Sequence, residues 1–107
     1  MVEDMTPEEL DERIRNGDDI QVIDIRDEPD YAEGHIPGAE NIPFERFARE
    51  VDDHDWEDEI VVACPLGQSS QQAARLLESY EGVADDARVA NLEGGYRDWE
   101  YELESES

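Results

Sequence analysis

The stretch IVVACPLGQSSQQAARLL, from Ile60 to Leu77, decides the fold because its pattern changes from strand to helix in the middle. The first four residues are apolar without a break, as in a strand that is buried on both faces of a sheet. After the loop that begins at Cys64, apolar side chains recur at the spacing of an amphipathic helix. We expect this helix to span Ser70–Tyr80 and to bury Ala73, Ala74, Leu77 and Tyr80. A strand, a tight loop and a helix in this order predict one unit of an α/β sheet.

The same alternation continues on both sides of this stretch. Further strands are predicted at Ile20–Ile25, Ala39–Asn41 and Arg88–Leu92. Further helical segments are predicted from Thr6, as the N-cap, to Gly17, at Asp30–Glu33, at Phe44–Val51 and from Gly94-Gly95 onward. The inward faces of the last two are predicted to carry Phe44, Phe47, Ala48 and Val51, and Tyr96, Trp99 and Leu103, respectively.

These elements predict a single α/β domain over residues 1–104, followed by a frayed tail at 105–107. The central sheet is expected to be mainly parallel, with about five short strands and with helices on both faces. Ligands of such sheets bind beyond the carboxyl ends of the strands. Cys64 follows a strand directly and therefore lies at the edge where chemistry is expected.

The charge of the chain is extreme and limits its partners. Asp and Glu number 32 against 8 basic residues, all of them Arg, and the formal net charge is -24. Such repulsion destabilises a compact state in dilute buffer. Because 37% of the residues are hydrophobic and fall in periodic groups, a folded domain is favoured over a disordered chain. The composition resembles that of cytoplasmic proteins of extreme halophiles, and neither nucleic acid nor an anionic membrane suits this surface as a partner.

The cysteine count and the absence of long apolar runs indicate a cytoplasmic location. One cysteine excludes an intramolecular disulfide and a cysteine-cluster metal site, and a free thiol suits a reducing compartment. No apolar run approaches the roughly 20 residues that span a bilayer. The N-terminal MVEDMTPEEL is acidic and lacks the apolar core of a signal peptide. The oligomeric state stays open.

The loop after Cys64 has the residues of an anion-binding turn. Gly67 permits the positive backbone angles of a tight turn, in which successive N–H groups can point inward. The following helix directs its positive end to the same place. Both effects favour a thiolate and would equally stabilise a charged adduct on the sulfur. The alternative is that Cys64 is a small buried hydrophobic residue.

Three segments together resemble a single-domain rhodanese, a sulfurtransferase. VIDIRDEPDYAEGHIPGAENIP resembles the family's Asp-x-Arg followed by Gly-His-Ile-Pro-Gly-Ala. CPLGQSS resembles its active loop, Cys-x-x-Gly-x-(Arg or Ser)-Ser, and LEGGYRDW resembles its Leu-x-Gly-Gly-x-x-x-Trp segment. The order and spacing of the three, from Val22 to Trp99, make the resemblance specific.

The resemblance implies that Cys64 is the catalytic nucleophile and carries sulfur as a persulfide. The donor would be thiosulfate, another small molecule or a protein persulfide, and the acceptor a thiophile, which is cyanide in the assay. The loop residues that would bind the persulfide are Leu66, Gly67, Gln68, Ser69 and Ser70. Pro65 has no N–H to contribute. No metal or organic cofactor is implied, and with no second cysteine the acceptor must come from outside the chain.

The resemblance also assigns supporting residues. Asp24 and Arg26 match the Asp-x-Arg and are expected to form an ion pair that organises loops. His35, in GHIPGA, is expected to order the loop that follows the first predicted strand rather than to act as a base.

Two departures leave alternatives open. Many rhodaneses have an Arg at the position of Ser69, and the loop here has no cation, so thiosulfate is a doubtful physiological donor. The related dual-specificity phosphatases need an Arg where Ser70 stands, which argues against phosphoryl transfer. A non-catalytic rhodanese-like binding module is the remaining alternative.

Overall fold

A parallel sheet of five strands forms the centre of the computed structural model, which describes residues 2–83 and 86–105. The strands are β1 (Glu3–Met5), β2 (Gln21–Asp24), β3 (Glu40–Asn41), β4 (Glu59–Ala63) and β5 (Arg88–Leu92). Their order across the sheet is β1-β5-β4-β2-β3, and every neighbouring pair is parallel. The predicted fold class, an α/β domain with a mainly parallel sheet, is thus confirmed.

Four α-helices connect the strands. They are α1 (Pro7–Arg15), α2 (Glu28–Glu33), α3 (Phe44–Glu50) and α4 (Ser69–Ser79), with 3₁₀ turns at Val51–Asp53 and Gly95–Asp98. The start of α1 follows from its sequence, since the Thr6 hydroxyl accepts the N–H of Glu9 and Pro7 occupies the first turn. No helix in the described part of the chain is long and apolar enough to cross a bilayer.

Helices lie on both faces of the sheet, as the alternation of side chains along the strands requires. Ile60 and Val62 of β4 point to the face that packs against α3 and α4, and Cys64 continues this side. Val61 and Ala63 point to the opposite face, which packs against α1. Because both faces are covered, the strands read as continuous apolar runs instead of alternating ones.

Two sequence predictions were wrong in detail, and one strand was missed. The last predicted helix is a single 3₁₀ turn that ends at Asp98, and Leu103 beyond it is about half exposed. In α3, Phe47 is buried but Phe44 and Ala48 are exposed, because the helix contacts the core along a narrow stripe. Strand β1 was not predicted, since its three residues contain two carboxylates.

The predicted frayed tail is described only in part. Residue 105 belongs to no regular element, and residues 106–107 lie outside the described residues. Just before it, Glu104 forms an isolated antiparallel bridge with His35.

Candidate active site

Cys64 lies at the carboxyl end of β4, where the chain turns sharply before α4. Its side chain is almost fully buried, and its Sγ accepts the N–H of Gly67 at 3.0 Å. The Sγ also lies 3.2 Å from the Oγ of Ser70, in the first turn of α4. Gly67 has a positive φ of 81°, which allows the chain to fold back over the sulfur. The loop therefore encloses the Cys64 sulfur between a backbone N–H donor and the hydroxyl of Ser70.

The surroundings of the thiol lower its pKa. Burial acts in the opposite direction and raises the pKa of Cys64, because a thiolate is poorly solvated inside the protein. Hydrogen bonds to the sulfur, including those from the backbone N–H groups of Ser70, Leu66 and Gly67, lower the pKa and more than offset this penalty. The site thus favours an anion on Cys64 without any basic side chain in contact with it.

The glycine pair of LEGGYRDW, Gly94 and Gly95, packs directly against the backbone of the cysteine loop. A Cβ on Gly95 would lie 2.0 Å from the carbonyl oxygen of Cys64 and 2.7 Å from the nitrogen of Gly67. The next two N–H groups, of Tyr96 and Arg97, donate to the carbonyl oxygens of Cys64 (2.9 Å) and Pro65 (3.0 Å). These contacts hold the loop in place, so the carbonyls point away from the sulfur and the N–H groups point toward it.

A buried ion pair contacts the same segment through Tyr96, the residue that follows the glycine pair. Asp24 is fully buried at the end of β2, and its Oδ2 accepts the Nη2 of Arg26 at 2.8 Å. Arg26 also donates to the carbonyl oxygen of Gly34 (2.6 Å), and its guanidinium stacks on the Tyr96 ring at 3.5 Å. The structure thus brings Asp24 and Arg26 together, and Arg26 connects the end of β2 with the residue that follows α2.

Tyr96 connects the ion pair with the cysteine loop. Its hydroxyl donates to Asp24 Oδ2 at 2.8 Å and accepts the N–H of Ile36 at 3.1 Å, while its own N–H holds the Cys64 carbonyl. Burial and the charge of Asp24 raise the pKa of Tyr96, so the hydroxyl remains a donor. Sequence reasoning placed Tyr96 on an apolar helix face and missed this role.

His35 lies away from these contacts, in the turn after α2. Its ring stacks on Tyr31 at 3.9 Å, its Nδ1 lies 2.9 Å from the Tyr31 carbonyl oxygen, and its backbone exchanges two hydrogen bonds with Glu104.

Gln68 is exposed and Ser69 is half-buried at the start of α4. Within the described residues, neither of these two side chains hydrogen-bonds Cys64.

An open groove of about 510 Å³ lies above the loop. Backbone and side chains of Leu66, Gly67, Gln68, Gln71 and Asn91 line it. Its charged lining residues are Asp4, Glu93, Arg97 and Asp98, and Arg97 is paired with Asp98 at 3.3 Å. A ligand in this groove beside the cysteine loop therefore meets more negative than positive charge.

The fold and the cysteine loop together define a rhodanese-like domain. A model of this family, described as the rhodanese-like domain, matches residues 6–102, and the chain therefore belongs to the family. The chain is 42% identical over 78 residues to a thiosulfate sulfurtransferase GlpE of Pseudomonas fluorescens, an alignment that covers 73% of this chain and 68% of the relative. The GlpE of Shewanella oneidensis is 40% identical over 80 residues and 75% of each chain.

Solved structures agree with this assignment. A rhodanese-like domain protein from Staphylococcus aureus superposes with a TM-score of 0.81 at 26% identity, covering 99% of this chain and 100% of that one.

Proposed function

We propose that the chain is a sulfurtransferase that carries sulfane sulfur as a persulfide on Cys64. The observation that supports this most directly is the position of the Cys64 sulfur, which faces the N–H of Gly67 at 3.0 Å and the Ser70 hydroxyl at 3.2 Å. The N–H of Gly67, together with the backbone N–H groups of Leu66 and Ser70, stabilises a thiolate before the reaction and an anionic outer sulfur after it. The relatives described as thiosulfate sulfurtransferases support the same reaction class.

The chemistry needs only the thiolate. Cys64 Sγ attacks the outer sulfur of the donor and forms an S–S bond. With thiosulfate, the donor's own S–S bond breaks, and sulfite leaves with the electron pair. A thiophilic acceptor then attacks the outer sulfur of the persulfide and the Cys64 thiolate is restored; cyanide, for example, leaves as thiocyanate. The number of sulfur atoms and the total charge are conserved in each step.

The charges around the groove bear on the choice of donor. Thiosulfate is a dianion, the cysteine loop has no cation, and the one arginine among the described residues that line the groove is paired with Asp98. The reacting group of a persulfide carries at most one negative charge, so this group meets less repulsion than thiosulfate does. We therefore propose persulfides beside thiosulfate as donors, and an external thiol as the acceptor because Cys64 is the only cysteine.

Mass spectrometry after incubation with a sulfur donor tests this function. The wild-type protein is expected to gain the mass of one sulfur atom on Cys64 and to lose it again when cyanide is added. Cys64→Ser is expected to gain nothing and to lose sulfur transfer, since a serine hydroxyl fills the site but does not form a persulfide. Circular dichroism checks that the variant is folded.

Two results would contradict the proposal. A folded Cys64→Ser protein with near-wild-type turnover would show that another group carries the sulfur. A wild-type protein that gains no sulfur from thiosulfate or from a persulfide donor would favour the non-catalytic binding module.

A further inference from the structure

A chain of hydrogen bonds connects Cys64 with a carboxylate that lies outside the loop. The Cys64 sulfur is 3.2 Å from Ser70 Oγ, the Ser70 hydroxyl donates to Asn91 Oδ1, and Asn91 Nδ2 donates to Asp4 Oδ1 at 3.2 Å. The parallel register explains the last contact, because Asp4 of β1 lies directly beside Asn91 of β5. Ser70 and Asn91 are buried, whereas Asp4 is exposed at the groove.

The ionised carboxylate determines the direction of every hydrogen bond in this chain. Asp4 accepts hydrogen bonds and has none to donate, so it holds the NH₂ end of the Asn91 amide. The amide oxygen of Asn91 is then turned toward Ser70, and Ser70 must donate to it. A hydroxyl has one proton. While Ser70 donates to Asn91, it has only lone pairs to offer the sulfur, which suit a thiol and not a thiolate.

We propose that Asp4 and Asn91 are positioning residues that withhold the Ser70 proton from the Cys64 sulfur and thereby tune its reactivity. When the thiol ionises, Ser70 stabilises the sulfur only by turning from Asn91. That leaves the buried amide oxygen unpaired, unless the amide rotates and places its oxygen against the Asp4 carboxylate. Both outcomes oppose ionisation. The inference rests on the proposed function only in taking Cys64 as the reactive nucleophile.

Replacing Asp4 with its amide removes this constraint. In Asp4→Asn, the new NH₂ group can donate to a rotated Asn91, whose own NH₂ then donates to Ser70, and the Ser70 proton becomes available to the thiolate. We expect the apparent pKa of Cys64 to fall by about 0.5 to 1, which increases the thiolate fraction about 3- to 10-fold at a pH below the pKa.

The effect of removing a negative charge on the pKa of Cys64 must be separated from the effect of changing the hydrogen bonds. The other charged groups that line the groove are Glu93, Arg97 and Asp98, and Asp98→Asn removes the same charge as Asp4→Asn without touching the hydrogen-bond chain. A charge effect across an exposed groove is screened in molar KCl, whereas a hydrogen-bond effect remains.

The experiment is a pH titration of thiolate ultraviolet absorbance for wild type, Asp4→Asn and Asp98→Asn, each corrected with its Cys64→Ser counterpart, in dilute and molar KCl. The expected result is a lowered pKa for Asp4→Asn that persists in molar KCl, and a smaller shift for Asp98→Asn that disappears there. Equal shifts for the two variants in molar KCl, or no shift for Asp4→Asn, would overturn the proposal.

A second variant tests the chain through its middle residue. In Asn91→Leu, Ser70 has no amide to donate to, so the pKa of Cys64 is expected to fall whether or not Asp4 is present. Adding Asp4→Asn to a folded Asn91→Leu protein should then change the pKa no more than Asp98→Asn does, and a larger change would count against the mechanism. The titration needs no sulfur donor, so its failure is distinguishable from a failure of sulfur transfer.

Discussion

Ser69 is the residue at which the loop departs from relatives that place an arginine there. Its side chain is half-buried at the first residue of α4, and among the described residues it forms no hydrogen bond with Cys64. We expect Ser69→Arg to lower the KM for thiosulfate, because a hydrogen bond to a charged partner contributes about 1.5–3 kcal/mol and solvent reduces it. The expected change is about 3- to 10-fold, with a smaller gain in molar KCl.

Steady-state cyanide assays at low and high KCl measure this effect. Turnover need not follow, since binding that is equal in the ground and transition states lowers KM without raising kcat. Ser79→Arg, at the far end of the same helix, is the matched control for an added charge and should leave KM nearly unchanged. A folded Ser69→Arg protein with an unaltered KM would mean that the missing cation does not limit thiosulfate binding.

Residues that act through local sequence were predictable, and those that act through strand register were not. Cys64 and Gly67 lie in one loop and Ser70 lies in the first turn of the helix that follows it, so their proximity can be predicted from the sequence. Asn91 contacts Ser70 only because β5 lies beside β4, and Asp4 contacts Asn91 only because β1 joins β5. The available signal was Asn91, a polar residue between apolar ones in the strand RVANL, which indicates a buried hydrogen bond.

At the scale of elements, the Gly94-Gly95 turn is the part of the LEGGYRDW segment that the conformation of the cysteine loop requires. A side chain at Gly95 would meet three backbone atoms of the loop within 3 Å, and φ at this residue is 59°. We expect Gly95→Ala to destabilise the fold through both the positive φ, which costs roughly 1–2 kcal/mol, and the steric conflict, which adds about 1–3 kcal/mol. Denaturant unfolding in molar KCl measures the sum.

Gly17→Ala is the control for this substitution. Gly17 has a φ of 74°, but a Cβ at this residue would meet no atom within 4 Å, so this variant should show the backbone cost alone. Equal losses of stability for the two variants would mean that the loop shifts freely and that the close approach has no structural consequence. The persulfide assay should separate them further, since only Gly95→Ala displaces the N–H groups around Cys64.

The elements that were predicted accurately are those whose own sequence has a regular pattern of apolar residues. Strands β2, β4 and β5 and helices α1 and α4 carry such a pattern, and their observed bounds lie within one or two residues of the prediction. Strand β1 has no such pattern in its sequence, and pairing with β5 holds it in the sheet. The segment after Gly95 has helical spacing, but its backbone donates to the cysteine loop and ends as a 3₁₀ turn.

At the scale of the whole molecule, the charge of -24 opposes folding, and the ion pairs compensate for little of it. Arg13 and Arg88 both contact Glu59, and Arg88 also pairs with Glu3 at 3.1 Å, so that α1, β1, β4 and β5 are connected at one end of the sheet. These groups are partly or largely exposed, and such pairs contribute about 0–1 kcal/mol each. Repulsion among the many carboxylates that outnumber the arginines is therefore expected to dominate.

Salt should consequently stabilise this protein, although it weakens each ion pair. At 1 M the Debye length is about 3 Å, which screens repulsion between surface carboxylates almost completely. We expect the melting temperature, followed by circular dichroism, to rise steeply from dilute buffer to molar KCl. The triple variant Glu12→Gln, Glu57→Gln and Glu100→Gln removes three exposed negative charges, so it should melt higher than wild type in dilute buffer and rise less with KCl. A melting temperature that is flat across this range, or a triple variant with the same salt dependence as wild type, would show that charge repulsion does not limit the stability of this fold.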